Sequence, residues 1–63
     1  MTTHRLLQIH TLLDTCESKA RVCRRGADNL ARLGNGAGAA HQLRRAMRFE
    51  RVASSCRLRL EVA

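Results

Sequence analysis

The 63-residue sequence has one phenylalanine, no tryptophan, no tyrosine and no proline, and only five acidic residues against twelve basic ones. Without large aromatics a core built from this chain is small. Below about 70–80 residues such a core needs help from a disulfide, a metal or a partner chain. With no proline, nothing of that kind interrupts a helix. An apolar share of 44% argues against a disordered tail. No run reaches the roughly 18 apolar residues that a membrane-spanning helix needs. Met1 to Leu13 lacks the continuous apolar stretch of a secretory signal, and Asp14 and Glu17 follow too soon for an acid-poor mitochondrial presequence.

Three cysteines are an odd number. Cys16 and Cys23 are two helical turns apart, roughly 10 Å of rise, too far for a mutual disulfide in one straight helix. There is no CxxC pair and no clustered histidine, so zinc is not expected. The thiols read as small, buried, reduced apolar groups, which points to an intracellular, cytoplasmic protein; the alternative is a disulfide or metal clip across a dimer. No cofactor or metal is expected.

What the sequence does have is periodicity. From Leu6, an apolar or small residue recurs at Ile9, Leu13, Cys16, Ala20, Cys23, Ala27 and Leu30, in alternating steps of 3 and 4. That is the seam of a long helix lying against another. The spacing predicts a first helix over about 3–33, capped by Thr2 or Thr3. Leu12 and Leu33 flank the seam and Leu7 lies further out. Glu17 with Arg21, and Asp28 with Arg32, have the spacing of favourable pairs on one helix. Gly26 costs roughly 1 kcal/mol against alanine inside a helix. Either a second helix packs close to it or the helix breaks there, and the unbroken heptad favours continuity.

Gly34-Asn35-Gly36-Ala37-Gly38 is the one clear break, read as a flexible turn over 34–38 with Gly34 ending the helix. A second seam follows at Ala39, Gln42, Ala46, Phe49, Ala53, Cys56, Leu60 and Ala63, placing a second helix at about 39–60. Leu43 and Val52 flank it. Phe49 has the bulk to fill the space left by Ala20 and Cys23. Residues 56–62 alternate apolar and polar as a strand does, although arginine, leucine and glutamate favour helix and Arg57 with Glu61 would pair along one; both readings stay open. The order of Leu30 to Leu43, a glycine turn before a basic helix, also resembles a helix-turn-helix.

The net charge of +7 predicts an acidic partner, and every cation but Lys19 is arginine. Arg44, Arg48, Arg51 and Ser55 share a stripe opposite the second seam, bordered by His41 and Arg45. Such a face can contact several phosphates. Arg21, Arg24 and Arg25 form a second cluster that could extend it. His4, His10 and His41 do not converge, and Asp14 with Glu17 lies among arginines with no pocket to argue for acid–base chemistry. No enzyme is expected.

These observations together predict an all-α, single-domain antiparallel helical hairpin over 1–63. Two copies would pair as a homodimeric four-helix bundle, since the seams and flanking leucines exceed what one hairpin hides. In size and layout the plan resembles the Rop-like plasmid copy-number regulators, helical-hairpin dimers that bind RNA. The function expected is a small regulator binding nucleic acid through the arginine face. The alternative is an inhibitor or adaptor docking on an acidic surface of a larger protein, with Leu7, Met47, Leu58 and Val62 as its apolar contacts.

Overall fold

The computed structural model describes residues 2–63. They form two helices, α1 over Thr3–Arg32 and α2 over Gly36–Val62, which lie side by side in opposite directions. The result is a rod with principal extents of 48 × 14 × 12 Å. Its two helices run alongside each other instead of crossing steeply, so the helix-turn-helix likeness ends at sequence order.

Each helix starts where a side chain satisfies a free backbone donor. Thr2 Oγ1 accepts from the Arg5 N–H at 3.2 Å. The connection is tighter than the glycine content suggested. Gly34 takes a left-handed φ of 81°. Its N–H donates to the Ala31 carbonyl at 3.1 Å, and the Asn35 N–H donates to Leu30 at 2.8 Å. These two bonds are a Schellman closure of α1. Asn35 then caps α2, its Oδ1 accepting from the Gly38 N–H at 2.9 Å. One residue therefore ends α1 and starts α2. The second helix begins at Gly36 and not at Ala39, and the turn shrinks to Leu33, Gly34 and Asn35. Gly38 belongs to this cap: a Cβ there would come within 2.8 Å of the Asn35 side chain.

At the other end, residues 56–62 are helical, which closes the strand alternative. Cys56 stays buried on the seam and Leu60 half-buried, so the heptad, not the local alternation, decides the last two turns. α1 also passes through Gly26 unbroken. α2 does not crowd it, for an added Cβ would meet only Gln42 Cγ, at 3.9 Å.

The seams meet as expected. Leu6, Leu13 and Leu30 are half-buried, and Ile9, Cys16, Ala20, Cys23 and Ala27 are buried. Opposite them Ala39, Ala46, Ala53 and Cys56 are buried, while Gln42, Phe49 and Leu60 are half-buried; Ala63 lies beyond α2 and is exposed. Apart from Ile9, every buried side chain is alanine or cysteine. Small residues on both helices let the axes come close but bury little apolar area. Large apolar side chains are left outside, Leu7, Leu12, Val22, Leu33, Leu43, Met47, Val52, Leu58 and Val62 among them. The cysteines are free and buried.

Candidate polyanion-binding surface

Two ion pairs define one side of the rod. Arg24 reaches across to Glu50 with both Nε and Nη2, each at 2.7 Å from a carboxylate oxygen. Arg57 donates to Glu17 Oε2 at 3.1 Å. Glu17 is thus drawn to α2 and away from Arg21, and Arg57 away from Glu61; Arg21 bonds Ser18 Oγ instead, at 3.2 Å. No ion pair joins Asp28 to Arg32 among the described residues. Held by two hydrogen bonds from the Arg24 guanidinium, the Glu50 carboxyl lies below the usual carboxylate range, and Arg24 is raised in turn.

Arg21 and Ser54 line the same shallow cleft as these pairs. Asp14 and Asp28 stand seven residues either side of Arg21, and Glu61 seven after Ser54, so they share its side of the rod. By register all five acidic side chains therefore lie on one side, with Arg21, Arg24 and Arg57 for company.

The opposite side carries none. Lys19, Gly26 and Arg45 line a cleft of about 400 Å³ there. Arg5 and Arg59 line another toward the far end, with Leu12. Lys19 Nζ sits 5.5 Å from the centroid of the Phe49 ring, close enough for a cation–π contact. Phe49 is half-buried at the edge of the seam and lines the Lys19 cleft beside Cys23.

His41, Arg44, Arg45, Arg48 and Arg51 are all exposed on the outward and carboxylate-free faces of α2. None of them is in an ion pair among the described residues. Arg44 to Arg51 covers roughly 10 Å of helix rise. The structure divides the second cluster. Arg25 faces outward, Arg24 is engaged by Glu50, and Arg21 lies on the carboxylate side, so Arg21 and Arg24 do not extend the α2 stripe. The four apolar contacts foreseen for a protein partner are scattered too. Leu7 and Met47 fall by register on the carboxylate side, Leu58 follows Arg51 outward, and Val62 lies in the last turn.

Spacing along a single helix does not reveal the cross-helix pairs Arg24–Glu50 and Arg57–Glu17. Their signal was present: Glu17 and Arg24 flank the first seam, Glu50 and Arg57 flank the second, and opposite running directions match unlike charges. Among the described residues no three His, Cys, Asp or Glu side chains converge on a metal-sized site. No described helix is long and apolar enough to cross a membrane. Set against protein-family models, curated proteins and solved structures, the chain matches none.

Proposed function

We propose that the hairpin is a small, non-enzymatic regulatory protein that binds nucleic acid through the arginine face of α2. The observation that carries this reading is that Arg44, Arg48 and Arg51 stand exposed on one stripe with no carboxylate engaging them. With about four phosphate contacts per chain, affinity falls roughly a hundredfold between 50 and 200 mM salt; for two chains acting together the fall is on the order of 10⁴. Titration against mixed duplex DNA and RNA at those two salt concentrations reads this directly. Arg44→Glu with Arg48→Glu is expected to abolish binding at unchanged helicity. Absence of binding by the wild-type chain at the lower salt overturns the reading.

The same proposal includes a homodimeric four-helix bundle and a cytoplasmic setting, where buried free thiols stay reduced. The dimer is supported by a seam of alanine and cysteine that hides little, beside large apolar residues left outside. A sedimenting mass equal to one chain, 7.1 kDa, would sink it.

One observation favours a second reading, docking on an acidic surface of a larger protein. The carboxylate-free side is not uniformly polar: Val22, Cys23, Gly26 and Phe49 give its cleft an apolar floor. Phosphates have no use for such a floor, whereas protein interfaces have apolar centres.

A further inference from the structure

We infer that this apolar trough receives an acidic amphipathic helix, which packs along the hairpin as a third helix. The inference rests on the second reading above and not on nucleic-acid binding by the α2 stripe, with which the trough shares Arg45 and, by register, Arg48.

The trough has the shape of such a site. Val22, Gly26 and Phe49 form its floor, with Lys19, Gln42 and Arg45 around them. Val52 belongs to the same side, seven residues from both Arg45 and Arg59, and is 40% exposed. By register the strip runs on to Leu12, which lines the next cleft with Arg5 and Arg59. From Leu12 to Gly26 it extends about 21 Å, the length of some four helical turns.

Gly26 is the second clue. It lacks a side chain where the hairpin itself does not require the gap, since a Cβ would be in ordinary contact with Gln42 Cγ at 3.9 Å. A glycine there notches the surface of α1 and lets a neighbouring backbone come close.

Charge selects the occupant. Lys19 and Arg45 line the trough, Arg5 and Arg59 line the next cleft, Arg48 joins them by register, and the five acidic side chains fall on the other side. A second copy seated here about a two-fold axis would set this cationic side against itself. A nucleic acid would satisfy the cations and leave Val22 and Val52 idle, and Lys19 already covers a face of Phe49 that a base would stack on. An amphipathic helix with an apolar stripe edged by aspartate and glutamate meets both demands.

The probe is a synthetic, end-blocked peptide of about 20 residues, leucine in alternating steps of 3 and 4, glutamate on both flanks and alanine elsewhere. A scrambled peptide of equal composition and charge is its control. Fluorescence anisotropy at about 150 mM salt, where the Debye length is about 8 Å, measures both. The striped peptide is expected to bind at least about tenfold more tightly than the scrambled one. Val22→Glu with Val52→Glu should weaken it by a further tenfold or more at unchanged circular dichroism, whereas Ser54→Glu, a new acid on the opposite side, should change it by about twofold or less.

Equal binding of both peptides, or no effect of the valine variants, overturns the inference. So does displacement by duplex RNA whose own binding needs Val22 and Val52, for the trough would then hold nucleic acid. A wild-type dimer that Val22→Glu converts to monomer would assign the trough to a second copy. If RNA binds through Arg44 and Arg48 while neither peptide binds, the third-helix inference fails and the nucleic-acid reading stands.

Discussion

Replacing Gly26 by alanine is expected to stabilise the hairpin. Mid-helix glycine is about 0.8–1.0 kcal/mol less favourable than alanine, because it loses more backbone freedom on folding. The substitution helps only if the new methyl fits, and here it meets Gln42 Cγ at 3.9 Å, an ordinary contact. Gly26 is half-buried, so partial cover of the methyl adds a few tenths of a kcal/mol at most, out of about 0.8 for a fully buried carbon. A gain of about 1 kcal/mol raises the melting temperature of a domain this small by roughly 4–8 °C. Circular dichroism at 222 nm reads the transition. Chain concentration must be matched between the two proteins, since self-association makes melting concentration-dependent. An unchanged or lower melting temperature would refute the reasoning. It would mean that the methyl strikes a body outside the hairpin, pressed against α1 at Gly26.

Three further outcomes follow from the same geometry. Ala46 is 0% exposed between the helices, so Ala46→Leu should force them apart at a cost of about 1–3 kcal/mol, read from urea midpoints; an unmoved midpoint would deny close contact there. Asn35→Ala removes the bond to the Gly38 N–H and should cost about 1 kcal/mol, seen as a lower melting temperature and faster amide exchange in the first turn of α2. Glu50 contributes stability above the unfolded glutamate value of about 4.3 and loses it as pH falls through the lower folded value, because the folded carboxylate binds its proton less readily. Glu50→Gln should therefore flatten the decline of melting temperature in the acid range, and an unchanged slope would show the Arg24 pair to be absent in solution.

The hairpin was legible because its two seams keep phase over most of the chain. Leu6 to Leu30 and Ala39 to Leu60 fix which faces meet, and Thr2 and Gly34 mark ends by chemistry that acts within a few residues. Sequence and structure part where one residue serves two helices or where a partner lies across the rod. Asn35 closes α1 and caps α2 at once, which composition alone hides under three neighbouring glycines. The pairs Arg24–Glu50 and Arg57–Glu17 link residues distant in sequence, and they displace the neighbours that i,i+4 spacing offers. The α2 stripe of Arg44, Arg48 and Arg51 needed only helical periodicity. The trough did not show in the sequence because Val22, Gly26 and Phe49 belong to different register positions and come together only when the helices are laid side by side.

Neither helix has an acidic residue in its first turn, and α1 opens with His4 and Arg5. Aligned peptide dipoles leave partial positive charge at a helix start, so the Arg5 cation stands at the wrong end of α1. The hairpin supplies a remedy. The last turn of α2 comes alongside, Arg5 and Arg59 lining one cleft, and its unpaired carbonyls carry the opposite partial charge. Arg32 and Arg59, each in a last turn, are placed favourably for their own helices. Each helix thus provides at its end the field that its neighbour's start lacks, and α1 cut free of α2 would be a poorer helix than its thirty residues imply.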